Sequence, residues 1–164
     1  MSQPDNRRDL KFETLDEVMD EVNRLHENRY QQLGKWNLAQ TCLHLNEWMR
    51  YPMDGYPKPA PPMRLLLWLM KITVGNRWKQ RILAEGFKPG LPTTPNTVYA
   101  PDAAEETEAI AQLQQTAERL ASYNGTFHAS PLFGESDRET NMQVQLLHCA
   151  HHLGFLRPEE GTPQ

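Results

Sequence analysis

The chain has 164 residues, enough for one domain with a core of its own. Hydrophobic residues make up 38 % and charged residues 23 %, which excludes a disordered polar chain. The formal net charge of -4 offers no basic field for nucleic acid or an anionic membrane, and two cysteines are too few for a disulfide framework.

Residues 2–8 form a polar run with no apolar stretch behind it, so no secretory signal is expected. The most apolar window, residues 65–70, is far short of the roughly 20 residues that span a bilayer. A reducing cytoplasm is the expected setting. Thr14 with Glu17 makes a capping-box signature for a first helix whose apolar side is Leu15, Val18, Met19, Val22 and Leu25. Asn37 with Gln40 opens a second, striped by Leu38, Cys42, Leu45 and Met49. Residues 51–62 are proline-rich and read as loop. Residues 63–85 read as one or two short helices with a break near Val74-Gly75-Asn76, and residues 64–78 are apolar nearly all round. Such a segment needs cover on more than one side, so it packs over the bundle or into a partner subunit, with Trp68 buried in either case. Residues 90–101 form a second proline-rich loop. Asp102 with Glu105 opens a third helix, with Ile110, Leu113, Ala117 and Leu120 inside, and Asn124-Gly125 stops it. Ser136 with Glu139 opens the fourth, where Met142, Leu146, Cys149, Leu153 and Leu156 alternate by four and three. Pro158 blocks its continuation.

Alternating three-and-four spacing on four helices predicts an all-α four-helix bundle, one domain over residues 1–164 with an insert over about residues 52–100. Short links make the first two helices antiparallel neighbours, and likewise the last two. The long crossover between the second and third permits an up-down-down-up order, which would set the second helix antiparallel to the fourth.

Six histidines stand at 26, 44, 128, 148, 151 and 152. At about 100° per residue, His148 and His152 share one flank of the fourth helix's stripe, in a row with Asn141 and Gln145. His44 lies at a similar offset on the second helix, next to Trp48. His44 is about 9 Å into its helix, and His148 and His152 are about 12 and 6 Å from the far end of theirs. Laid antiparallel, the three imidazoles come to one level. An i, i+4 pair plus a third histidine from a facing helix is a facial ligand set for a divalent metal, with coordination positions left open. The competing reading is a polar helix edge without metal. His26 and His151 are expected at the surface, and Cys42 and Cys149 as buried, inert thiols. His128, before Pro131-Leu132-Phe133-Gly134, is read as packing its loop.

Lys35-Trp36-Asn37 followed by Cys42-Leu43-His44-Leu45 resembles the second-helix motif of the DinB/YfiT-like superfamily, and His148-Cys149-Ala150-His151-His152-Leu153-Gly154 resembles its last-helix motif. The likeness is greatest to a DinB-like branch known as a domain of unknown function, through Leu10-Lys11-Phe12, Asp54-Gly55-Tyr56-Pro57, Pro131-Leu132-Phe133-Gly134 and His151-His152-Leu153-Gly154-Phe155-Leu156. It runs over nearly the whole chain. The resemblance implies a DinB-like four-helix bundle and a three-histidine metal site. Relatives include thiol S-transferases that use bacillithiol or mycothiol, and a mycothiol-dependent isomerase. One departure stands out: many DinB-like proteins follow the last ligand histidine with arginine, glycine and glutamine, whereas Leu153, Gly154 and Phe155 follow here. Polar support beside the metal is reduced accordingly, and no thiol-cofactor site is recognisable.

The expected function is a metal-dependent enzyme in which His44, His148 and His152 hold a divalent ion, zinc or nickel, and water or a thiol activated by the ion attacks a small molecule in transfer or hydrolysis. No general base is identifiable, since Glu47 points away from His44 on the wheel. Asn141 and Gln145 are expected to orient a ligand or substrate by hydrogen bonds. Expected partners are a small-molecule substrate and a second copy of the chain, with no nucleic acid and no membrane. The alternative is a non-enzymatic helical module, a dimer whose histidines form only a polar seam.

Overall fold

The computed structural model describes residues 7–90 and 97–159. Its helices are α1 (Leu15–Glu27), α2 (Leu38–Asp54), α3 (Pro61–Met70), α4 (Asn76–Glu85), α5 (Glu106–Ser122) and α6 (Arg138–Leu153). A π-helical turn, Lys71–Gly75, joins α3 to α4, and two short strands, β1 (Tyr30–Gln32) and β2 (Leu156–Pro158), complete the order. The four long helices are α1, α2, α5 and α6, so the expected bundle is present with its insert between the second and third. Of the proline-rich stretch at 90–101, residues 91–96 lie outside the described residues, as do residues 1–6 of the polar N-terminal run.

Two of the caps form at the expected residues. Thr14 accepts the Glu17 N–H at 3.2 Å, and Asn37 and Gln40 exchange both bonds of a capping box. The other two helices start later than expected. Glu105, not Asp102, stands at the start of α5, without a side-chain cap but with Glu106 and Glu108 in a first turn that favours negative charge. Asp137, not Ser136, caps α6, accepting the Thr140 N–H at 2.8 Å. The Ser136 hydroxyl is engaged elsewhere, accepting from the Lys79 ammonium at 3.3 Å.

The expected loop at 51–62 begins too early, because α2 runs on to Asp54 with Pro52 inside it. Proline has no N–H to give to the carbonyl four residues back, which is that of Trp48. That carbonyl instead accepts the Gln145 side-chain amide of α6 at 3.2 Å, so a neighbouring helix supplies the missing donor. Gly55, at φ +102, then turns the chain out of α2.

Contacts along the helices set their directions. Trp36, His44 and Trp48 meet His152, His148 and Gln145 respectively, so α2 and α6 are antiparallel. Asn46 accepts from the Thr116 hydroxyl at 2.6 Å and Asp54 pairs with Arg119, so α2 and α5 run parallel. His26 and Tyr30 reach Glu106, which puts the end of α1 at the start of α5. The order is therefore up-down-down-up. Antiparallel pairing of β1 with β2 ties the exits of α1 and α6 together, Tyr30 opposite Pro158 and Gln32 opposite Leu156.

The core lies between the four long helices, with Val18, Val22, Leu25, Leu38, Leu45, Met49, Leu113 and Leu153 fully buried. Arg8 clamps the N-terminal segment to it, pairing with the buried Glu21 at 2.5 Å and donating to the Leu153 carbonyl at 3.2 Å. Cys42 and Cys149 are free and fully buried, and burial pushes both thiols well up.

The insert stands against the loop of Pro131-Leu132-Phe133-Gly134, and its α4 also packs on α6 of the bundle. Gly75 is its point of closest approach: a Cβ there would collide with the Leu132 carbonyl oxygen. Trp78 meets Phe133 edge-on at 6.2 Å, and Ile82 is the one buried apolar residue of α4. None of α3 is buried, and Trp68 is 52 % exposed. The expectation that Trp68 is covered by the bundle is thus overturned, because the contact is made through Gly75, Trp78 and Ile82 and leaves the opposite side of α3 in solvent.

Burial separates the apolar residues into two energetic classes. Leu153→Ala should cost about 2 to 5 kcal/mol, as truncation of a fully buried leucine. Trp68→Ala should stay within about 0.5 kcal/mol in the same denaturant titration. Equal effects at the two positions would contradict this packing.

Candidate metal centre

His44 lies in the second turn of α2, and His148 and His152 lie one turn apart near the end of α6. Helix geometry puts an i, i+4 pair on one face about 6 Å apart along the axis. The antiparallel register of α2 against α6 then brings His44 to their level. His44 Nε2 is 3.3 Å from His148 Nε2, and His152 Nε2 is 3.1 Å from the same atom. All three donor atoms lie within 4.8 Å of one another. Metal–nitrogen bonds of about 2.0 to 2.1 Å place neighbouring donors about 3.0 to 3.4 Å apart, so the His44–His148 and His148–His152 spacings suit a shared divalent ion.

Proton counting favours the same conclusion. The His44 Nδ1–H donates to the Thr97 carbonyl at 3.0 Å. Its Nε2 therefore carries a lone pair when the ring is neutral. His148 Nε2 faces both other rings, and with at most one hydrogen it can donate to only one of them. His148 Nδ1 is buried with no partner among the described residues, so the hydrogen deficit is not relieved at the other end of the ring. A cation at the common point satisfies all three lone pairs at once. Three imidazole nitrogens are a donor set suited to zinc, nickel, copper or iron.

Burial keeps these rings neutral. His44 is 1 % exposed and His148 5 %. Desolvation pushes the His44 imidazole down to about 4, against the opposing pull of the Thr97 carbonyl. Burial, reinforced by the neighbouring imidazoles, holds His148 and His152 well below the usual histidine range.

Aromatic rings enclose the trio. Trp36 stacks on His152 with centroids 5.1 Å apart and 13° between planes, and lies 4.8 Å from His44. Trp48 packs on His148 at 4.7 Å, and Phe87 packs on the same ring at 5.2 Å. Phe87 also lines an adjoining cleft of about 410 Å³, together with Arg7, Lys11, Leu147 and His151. None of the three histidines lines that cleft; Phe87, which packs on His148, stands between the two.

The remaining singled-out residues fall outside the trio. His151, expected at the surface, is half-buried on another face of α6, because the N-terminal segment folds over it. The Arg7 guanidinium donates to its Nδ1 at 2.5 Å and also to the Phe87 carbonyl at 3.2 Å. The Phe87 oxygen also lies 3.1 Å from that Nδ1, but a nitrogen accepting from arginine cannot donate as well, so Arg7 serves both. His26 is exposed and pairs with Glu106 at 2.7 Å. His128 packs its loop as expected, its N–H on the Pro52 carbonyl and its ring beside Gly55. Glu47 is engaged by Arg50 at 3.1 Å. Gln145 supports the Trp48 carbonyl, and Asn141 lines a narrow cleft with Tyr56, His128 and Ser130. Trp36, Phe87 and Thr97 surround the histidines without having been singled out for that role. Trp36 stood in the motif before Asn37, while Phe87 and Thr97 sit in irregular stretches that carry no periodic signal.

Two outcomes follow from these contacts. Gln145→Leu strips a buried carbonyl of its donor and should destabilise the protein by about 1 to 3 kcal/mol in denaturant titration. Acid should weaken the metal-free fold as well. Histidines of the unfolded chain take up protons near 6.5, while buried His44 resists until about 4 and His148 and His152 are also held well below the usual range, so stability is full above 6.5 and falls as pH drops below it. A stability curve flat between those values would contradict the burial of the trio.

A family model described as "Protein of unknown function (DUF1569)" matches residues 4–159. No curated protein and no solved structure matches the chain. The matched span takes in the N-terminal clamp, all six helices, all three histidines and the β1–β2 tie, and the chain belongs to the DUF1569 family.

Proposed function

We propose that this protein is a metal-dependent enzyme of the DinB-like kind, binding one divalent ion, zinc or nickel, through Nε2 of His44, His148 and His152. The observation that carries the reading is the convergence of three desolvated imidazole nitrogens, those of His152 and His44 at 3.1 and 3.3 Å from that of His148, with the His44 tautomer set by Thr97. A facial set of three nitrogens leaves coordination positions for water or substrate. A bound ion supplies Lewis acidity, lowering the pKa of an attacking water or thiol and polarising a substrate oxygen.

The chain's own residues do the rest. Thr97 orients His44; Trp36 and Trp48 hold the rings and exclude water, which strengthens every electrostatic interaction inside. Transfer or hydrolysis on a small molecule entering past Phe87 and His151 is the reaction class these parts suit. No carboxylate is found bonded to the histidines among the described residues, so any proton acceptor must come with the substrate or solvent. A metal-bearing module without turnover is the second reading, favoured by Leu153, Gly154 and Phe155 in place of polar residues after the last ligand.

Metal stoichiometry of untagged protein tests the site. Wild type and His151→Ala should carry one metal per chain, and His44→Ala, His148→Ala and His152→Ala should lose most of it with the fold retained. Full metal in His148→Ala would overturn the assignment, as would loss only in His151→Ala. Because burial has already removed the protons, affinity should hold through pH 6.5 and fall only as pH nears about 4. That departs from the range near 6.5 where free histidine protonates.

A further inference from the structure

The net charge of -4 conceals a segregation along the chain. Residues 58–88 carry seven lysines and arginines against the single acid Glu85, a net +6, so the rest of the chain carries -10. Glu85 is itself paired, with Arg81 at 3.2 Å and Lys88 at 2.8 Å. Arg64, Lys71 and Arg77 make no ion pair among the described residues.

The same segment holds the exposed apolar surface. On a wheel of about 100° per residue, Leu65, Trp68, Leu69 and Ile72 form one outward stripe, with Arg64 and Lys71 together on its flank. These four side chains are 59, 52, 43 and 56 % exposed, while Leu67 and Met70 on the inner side are half-buried. Gly75 and Trp78 hold the segment by its inner side, so the outward stripe is presented on a fixed support.

We propose that this face seats the protein on an anionic lipid surface, with α3 lying in the plane of the headgroups. Leucines and isoleucine would enter the acyl boundary, Trp68 would sit at headgroup level, and Arg64 and Lys71 would reach the lipid phosphates. At ten residues α3 is far too short to cross a bilayer, and no described helix is long and apolar enough to do so. The expectation of no membrane partner rested on net charge and on the lack of a spanning helix, and neither bears on surface binding by a segregated patch. Charge also decides against a second copy as the occupant. A two-fold contact through this face would set one basic segment against another, with only the paired Glu85 to offset it.

Flotation of the untagged full-length protein with phosphatidylcholine vesicles, alone or mixed with phosphatidylglycerol, tests the proposal. Binding should require phosphatidylglycerol, weaken with salt, and fall about 30-fold in Arg64→Gln/Lys71→Gln, at roughly fivefold per cation. Lipids brominated in the acyl chain should quench wild-type tryptophan emission more than that of Trp68→Phe. Circular dichroism of the variants, whose changes lie on exposed positions, separates lost binding from lost fold. The proposal is overturned by a folded protein that ignores the mixed vesicles, by equal binding to pure phosphatidylcholine, or by binding indifferent to the double substitution. It is overturned equally by a stable dimer in sedimentation that shields Trp68 from acrylamide.

Discussion

A single side-chain amide holds the two halves of the molecule in register. Pro52 removes a donor from the last turns of α2, and the carbonyl it leaves open at Trp48 is taken by Gln145 of α6. The bond does two jobs at one place. It lets α2 continue to Asp54, where the Arg119 pair fastens it to α5, and it prevents α6 from sliding along α2. One turn further along, that same register sets His148 opposite His44, and another turn on it sets His152 under Trp36. A slip by one residue would rotate the α6 row by about 100° and scatter the trio. The remaining architecture, including the tie between β1 and β2, is consistent with only one such register.

The centre itself is a polar arrangement in an apolar setting. Three rings that could each be solvated are instead enclosed by Trp36, Trp48 and Phe87, with one backbone carbonyl and no carboxylate among the described residues to share their hydrogens. Elsewhere Thr116 is matched with Asn46 and Arg8 with Glu21, while Arg8 Nε and Trp48 Nε1 are buried with no hydrogen-bond partner among the described residues. At the histidines the mismatch is concentrated, three rings converging with His148 Nδ1 unpartnered among the described residues, and a buried mismatch of that kind persists where a function requires it.

The periodic parts of this structure were readable from residues alone. Three-and-four spacing marks α1, α2, α5 and α6, and helix geometry alone sets His44 level with His148 and His152. What could not be read depended on partners distant in sequence. Pro52 argued locally for a loop, and only Gln145, from another helix, reverses that argument. Ser136 and Asp137 are equally good caps by residue type, and Lys79 in the insert decides between them. His151 lay towards solvent on the wheel of an isolated helix, but Arg7 covers it. The apolar ring of α3 argued for burial, and the support at Gly75 faces the other way.

The join between α3 and α4 has a consequence for how this chain tolerates change in length. A π-helical turn accommodates one residue more than α-helical winding would, so the faces of α3 and α4 are offset by about 100° from those of a continuous helix. Removing a residue from Lys71–Gly75 would restore regular winding while leaving every side chain of α3 in place, and would turn Trp68 round the helix axis relative to Ile82. The extra residue thus acts as an angular setting: composition alone decides that α3 is apolar, but this one-residue count decides which way its apolar side looks.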